Sequence, residues 1–318
     1  MEKENEIFNL IEELNVKYAN SGQDLVSYLK GLLEANFEPY WEYINLDSLL
    51  AIQQPKTNHP DEIIFISYHQ ITELYFKLIL HEQKQICFHT NLTSVFMEER
   101  LERIIRYIQN LTNSFEIMIL GMDYHQFLKF RMALLPASGF QSAQFRMIEI
   151  AATDIANLIK PINQVGLDLN DIEQIIPFLY WKAGAIQLDT AEKTLTLQQF
   201  ENKYNRHFLR FSKKYHGCNT WQKYLTLKNA GLATEKLTDL MRKFDYSLNV
   251  EWSLAHFKSA VKYLKSPTAE VAATGGTNWG TYLPPRFQKI KSFPQLWTEE
   301  EKENWGKEWV QENVIDKK

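Results

Sequence analysis

The sequence predicts an all-α, bundle-like fold with a small helical insertion. Three observations carry this. Apolar residues recur at intervals of three and four along most of the chain, which is the spacing of one helix face. No segment sustains the period-two alternation of a strand. No Gly-rich strand-to-helix turn of the GxGxxG or GKS/T kind occurs, so nucleotide and dinucleotide folds find no support. With 318 residues, 45% of them hydrophobic, the chain has material for one large core or two closely packed ones. Its 35 basic and 39 acidic residues give no basic footprint for nucleic acid or an anionic membrane, so a small-molecule partner is expected.

In chain order, Ile7, Leu10, Ile11, Leu14 and Tyr18 predict a short amphipathic helix with no local partner, expected to pack elsewhere, for instance on another subunit. Asn36 to Asn58 is rich in aromatic and turn residues, with Tyr40, Trp41 and Tyr43 clustered as packing groups are. Residues 1–60 therefore read as an N-terminal arm and helix ahead of a larger helical unit, 61–318. Asn58-His59-Pro60-Asp61-Glu62 is a helix start, with Pro in the first turn and two acids at the positive end of the macrodipole. The helix it opens is expected to run to about Ile86 and places Phe65, His69, Thr72 and Phe76 on one face. On spacing alone His69 is a core histidine among aromatic neighbours. Leu101, Ile104, Ile105, Ile108, Leu111 and Phe115 predict a long helix. It leads through Gly121 to a helix with Phe127 and Arg131 one turn apart.

The stretch RMALLPASGFQSAQFR, Arg131 to Arg146, concentrates the most unusual chemistry. Pro136 ends one helix near Leu135, Ser138 and Gly139 supply a backbone open to close approach, and Gln141 to Ile159 resumes helical spacing. At the mouth of that gap the Arg131 guanidinium suits a bidentate grip on a carboxylate; an ordinary turn with a solvated charge is the alternative. From Lys160 to Thr196 Pro and Gly break the pattern repeatedly, as a small insertion around 160–196 would. Thr196 and Gln199 fit a capping box for the next helix. Leu237, Leu240, Met241, Phe244 and Leu248 then feed a helix on which Trp252, His256, Ala260 and Tyr263 share a face. A single imidazole beside a small residue on a buried face is what a five-coordinate haem needs, although a core histidine satisfies the same spacing.

Cys87 and Cys218 stand far apart with no CxxC or CxxCH pattern, so neither a disulfide framework nor covalently attached haem is suggested. The N-terminus lacks the basic and apolar regions of a signal peptide, and no apolar run reaches membrane-spanning length. A cytoplasmic protein is expected.

RMALLPASGFQSAQFR closely resembles the Arg-containing Ser-Gly-Phe-Gln-Ser segment of the tryptophan 2,3-dioxygenase family, all-helical haem enzymes. Further blocks match in the same order. They are YINLDSLLAIQQP (Tyr43 to Pro55), DEIIFISYHQITELYFKLILHE (Asp61 to Glu82), and the Trp252 to His256 element followed by Thr274-Gly275-Gly276-Thr277. FPQLW, Phe293 to Trp297, resembles the family's closing segment. The resemblance implies a haem dioxygenase fold, with 61–318 as the haem-binding catalytic domain. It also implies haem b as cofactor, O2 and L-tryptophan as substrates, N-formyl-L-kynurenine as product, and a homotetramer. By the same resemblance His256 is the proximal iron ligand, with Trp252, Phe127, Ser138 and Gly139 beside the haem. His69 is the distal histidine that meets the indole N–H, and Phe65 lines the indole pocket. Arg131 takes the substrate carboxylate and Thr274 its ammonium, while Tyr40, Tyr43 and Ile44 reach across a subunit interface to close the pocket.

Two departures stand out. Many family members carry Tyr where this chain has Phe127, and the segment from His256 to Thr274 is longer than usual, with Ala273-Thr274-Gly275-Gly276-Thr277-Asn278 replacing Gly-Thr-Gly-Gly-Ser-Ser. They leave two other readings open: oxygenation of a substituted indole or tryptophan derivative, and a haem-binding sensor or interaction protein without turnover. A carboxylate clamp at Arg131 counts against the sensor, which has no use for one.

Overall fold

A computed structural model of the chain describes residues 2–137, 141–185, 192–264 and 290–311. They fold as helices with no strand among them, and an isolated bridge joins Ile159 to Leu179. No described helix is long and apolar enough to cross a membrane.

Two compact units divide the chain at Gln54. The first holds α1 (Glu2–Asn20), α2 (Leu25–Glu34), α3 (Tyr40–Tyr43) and α4 (Leu46–Ala51). Asp24 caps α2 by accepting from the backbone N–H groups of Val26 and Ser27. Little apolar surface is buried within this unit. Leu33 and Phe37 are 87% and 88% exposed, and only Leu25 among its hydrophobic residues is buried.

The second unit is built on two long helices, α5 (Glu62–Phe88) and α6 (Ser94–Leu120), of 27 residues each, which pack on each other. α7 (Tyr124–Phe130) runs into a 3-10 turn, Arg131–Leu134. α8 (Ala143–Ala152) lies on α5, and α10 (Leu195–Tyr215) on α8. α11 (Thr220–Asn229) also reaches α5. α12 (Glu235–Tyr246) continues through a π turn, Ser247–Glu251, into α13 (Trp252–Leu264), and both helices pack on α6. Short α14 (Glu299–Glu303) and α15 (Lys307–Val310) follow. The main core joins Phe76, Ile79 and Ile86 of α5 to Leu101, Ile104 and Ile108 of α6 and to Met241 and Phe244 of α12, all spaced for one helix face. The irregular stretch from Ile155 to Ala185 is a series of 3-10 turns around one-turn α9 (Ile172–Ile175). It closes over a second cluster that includes Ile159, Ile175, Trp181, Phe200 and Phe208.

Several local expectations are revised. The helix expected from Gln141 to Ile159 stops at Ala152, because Asp154 turns its carboxylate to the start of α11, accepting from Asn219 Nδ2 and Gln222 Nε2. The cap of α10 is Thr194, which accepts from Leu197 N–H; Thr196 lies inside the helix and donates to the Pro136 carbonyl. The two acids do stand at the start of α5 as expected, and their side chains also reach beyond it. Glu62, almost wholly buried, accepts from the Lys56 and Thr57 N–H groups, and Asp61 accepts from Asp123 N–H at 2.6 Å. Both carboxylates pin neighbouring loops.

Candidate active site

Because α5 and α13 both pack on α6, their inner faces approach each other across Phe115. From α5 come Phe65, Tyr68 and His69, and from α13 Trp252, Ala255 and His256. α7 adds Phe127 and Phe130. The rings form a continuous wall. Phe65 lies 4.1 Å from His69 and 6.2 Å from Phe127, and Tyr68 lies 5.5 Å from His69 and 5.6 Å from Phe115. Phe115 in turn stacks on His256 at 5.6 Å and 15°, with Trp252 5.4 Å from that imidazole.

The His69 Nδ1 atom lies 2.7 Å from the Phe65 carbonyl oxygen one turn earlier. A carbonyl can only accept, so this contact assigns the proton to Nδ1 and leaves Nε2 with a bare lone pair. Burial holds the imidazole below its usual value of 6.5, which keeps it neutral. Over the whole residue His69 keeps accessible surface.

His256 is held differently. No hydrogen bond to its ring occurs among the described residues. Burial first, then the proximity of the titratable His69 ring and of the Arg146 charge, push its pKa down to about 4, so it too is neutral and its lone pair is available to a metal. Beside it the Trp252 indole stacks on Phe145 at 4.8 Å, and its buried Nε1 has no partner among the described residues. Among the described residues no three His, Cys, Asp or Glu converge as a stand-alone metal site. One neutral imidazole, an aromatic wall and an orphaned buried donor therefore fit a metal that brings its own equatorial ligands, which is the chemistry of a haem.

Behind Trp252 lies a buried charge network. Arg146 Nη1 donates to Glu149 Oε2 at 2.7 Å and to the Tyr180 hydroxyl at 2.9 Å, and Tyr180 donates to Glu149. Burial opposes the Arg146 charge, and Glu149 with Tyr180 more than restores it, whereas at Glu149 burial outweighs the help of Arg146 and raises the carboxyl pKa. Arg131 is buried at the end of α7, its backbone N–H bonded to the Phe127 carbonyl; burial lowers its pKa without threatening its charge at neutral pH.

The structure thus gathers Phe65, His69, Phe127, Trp252 and His256 on one wall and adds Tyr68 and Phe115, which spacing had marked only as helix or core residues. Arg146, Glu149 and Tyr180 were also missed as a group: Arg146 and Glu149 are an i,i+3 pair, but Tyr180, more than thirty positions on, gives no local signal. Tyr40, Tyr43 and Ile44 belong to the first unit, where the two tyrosines are 70% and 76% exposed. Ser138, Gly139 and Thr274 lie outside the described residues. A separate surface recess of about 510 Å3, lined by Tyr246, Trp297 and Trp305, contains none of these groups.

Comparison with known proteins gives the same answer from a different direction. The pattern of the tryptophan 2,3-dioxygenase family matches residues 30–224. The chain is 29% identical to the tryptophan 2,3-dioxygenase of Ruegeria sp. over 81% of its own length and 90% of the relative's, with the same figures for that of Geobacillus thermodenitrificans. Similarity to the enzyme of Alteromonas mediterranea is higher, 38%, but covers 37% of this chain and 36% of that one. With more than half of its residues inside the family pattern, and with relatives matched along most of both chains, this protein belongs to the tryptophan 2,3-dioxygenase family.

Proposed function

We propose that the protein oxidises L-tryptophan with O2, adding one oxygen atom at each carbon of the indole C2–C3 bond and opening the ring to N-formyl-L-kynurenine. The observation that carries this reading is His69. A neutral imidazole with Nδ1–H committed to a carbonyl offers Nε2 as an acceptor only, and an indole ring has only an N–H to give. Haem b, when bound, supplies the iron that activates O2. His256 would hold that iron, with Trp252 and Phe127 against the macrocycle and Ser138 and Gly139 in the roles that the resemblance implies. Phe127 has no hydroxyl, so it contributes packing and no hydrogen bond.

Orientation of the substrate falls to this chain's own side chains. His69 fixes the N–H edge, and Phe65, 4.1 Å from it, supplies an apolar face to the same ring. Arg131 takes the carboxylate and Thr274 the ammonium. Water is kept out by the aromatic wall, which strengthens each of these polar contacts. Tyr40, Tyr43 and Ile44 close the pocket from a neighbouring copy in a homotetramer. The apolar surface left bare on the first unit, including Leu33 and Phe37, supports that assembly. We place the enzyme in the cytoplasm, where unpaired thiols such as Cys87 and Cys218 persist.

The test is to incubate reduced, haem-loaded protein with L-tryptophan and labelled O2 and weigh the product. Addition of two labelled oxygen atoms is expected. Addition of one, or no turnover of L-tryptophan, would overturn the reading.

A further inference from the structure

The helix that carries His256 does not run straight into it. Between α12 and α13 the backbone opens into a π turn, Ser247–Glu251, in which Trp252 N–H bonds the Ser247 carbonyl five residues back. A π turn holds one residue more than an α turn, and one residue corresponds to about 100° around the helix axis. The turn therefore decides which face of α13 Trp252 and His256 occupy relative to α12. Were it to relax to α geometry, the Phe115–His256 stack at 5.6 Å could not survive the rotation.

Something must hold this rarely used geometry, and one buried carboxylate stands next to it. Asp245, 0% exposed, accepts four hydrogen bonds. Oδ1 accepts from Asn249 Nδ2, inside the π turn, at 2.7 Å and from Ser292 N–H at 2.7 Å. Oδ2 accepts from Phe293 N–H at 3.0 Å and Trp297 Nε1 at 2.8 Å. Asn249 Nδ2 also reaches Ser292 Oγ at 3.1 Å. The segment from Ser292 to Trp297 is thus tied to the π turn through Asp245, with a second direct bond from Asn249. Its ends are reinforced by Phe293 stacked on Trp221 and by Arg242 over the Trp297 ring at 4.1 Å.

We propose that Asp245 is a positioning residue for His256, holding the π turn through Asn249 and bracing it against the Ser292–Trp297 segment so that the imidazole keeps its face toward Phe115. The inference rests on the proposed role of His256 as iron ligand, but its structural half does not need haem. No described contact joins Asp245 to the site wall itself, so its effect on the site passes through the helix.

The experiment uses full-length protein with and without haem and compares wild type, Asp245→Asn, Asn249→Ser, Trp297→Phe and, as a distant control, Ile172→Val in the second cluster. In the apo-protein, amide hydrogen exchange over residues 245–256 should accelerate by about tenfold or more in Asp245→Asn and Asn249→Ser, the scale of losing a buried charge-assisted hydrogen bond, and stay unchanged in Ile172→Val. In the ferrous haem-loaded protein the iron–histidine stretching band should shift or split in the first two variants, with kcat falling more than KM changes. Exchange unaltered in both variants would overturn the inference whatever the haem data show. So would an iron–histidine band that moves in Trp297→Phe and not in Asn249→Ser, because the carboxylate would then act on the returning segment alone. A wild type with no such band would sink the haem assignment, and the exchange comparison would still decide whether Asp245 holds the turn. Should Asp245→Asn fail to fold, Asn249→Ser, which keeps the carboxylate, carries the same comparison.

Discussion

His69 and His256 are both neutral, both flanked by aromatic rings and both on long helices, yet they are held in opposite ways. α5 runs unbroken past His69 and ties Nδ1 to its own backbone carbonyl at 2.7 Å, leaving one nitrogen with one possible task. α13 reaches His256 through a π turn, and among the described residues the ring has no hydrogen bond; it is steadied by stacking on Phe115 and by buried charges behind Trp252. The difference teaches how one residue type is divided between two roles. A ring with its tautomer fixed by an acceptor makes a directed hydrogen-bond partner, whereas a ring with an uncommitted lone pair in an aromatic wall suits a metal.

The largest expected effect tests the buried Arg146–Glu149 pair behind Trp252. Glu149→Gln leaves Arg146 buried beside a neutral amide and should cost about 3–5 kcal/mol of stability, the usual penalty for breaking a buried pair from one side. Urea unfolding of the apo-protein measures it, and a loss below about 1 kcal/mol would show that the pair contributes little. Next comes the substrate end of the site. Arg131→Lys keeps the charge but loses the two-donor fork. It should lower kcat/KM for L-tryptophan by about one to two powers of ten while affecting indole analogues without a carboxylate much less. Equal losses on both substrate types would remove the clamp.

Much of this was legible from residue spacing and some of it was not. The helices α5, α6, α10 and α12 declare themselves by apolar periodicity, and the faces that carry His69 and His256 follow from the same count, because one period governs both core and site. Local chemistry misled where a tertiary partner outbid it. Thr194 caps α10 where Thr196 had the better motif, and Asp154 ends α8 early by reaching for α11. The π turn and the Asp245 network left no trace in spacing, since the extra residue is stabilised by groups more than forty positions away. Ser138, Gly139 and Thr274 lie outside the described residues, so their roles still rest on the resemblance.

Two smaller effects sharpen the contrast on the His69 side. Phe65→Ala removes the ring 4.1 Å from His69 and should raise KM by up to about tenfold, the worth of an aromatic pair at about 0.5–1.5 kcal/mol, while haem affinity stays unchanged. Loss of haem in that variant would place Phe65 on the wrong side of the site. The smallest effect is on pH. Burial lowers the His69 pKa, so protonation of Nε2, which destroys the acceptor, begins only below the usual 6.5. The acid limb of kcat/KM should fall below pH 6.5, and a limb at or above that value would contradict the neutral, desolvated imidazole.

The most direct test of the division between the two histidines is haem binding itself, followed by the Soret band as haem is titrated into apo-protein of wild type, His69→Ala and His256→Ala. The expected result is a Soret band that survives in His69→Ala and is lost or greatly weakened in His256→Ala. Equal loss in both variants, or loss in neither, would contradict the assignment of one imidazole to iron and the other to the indole.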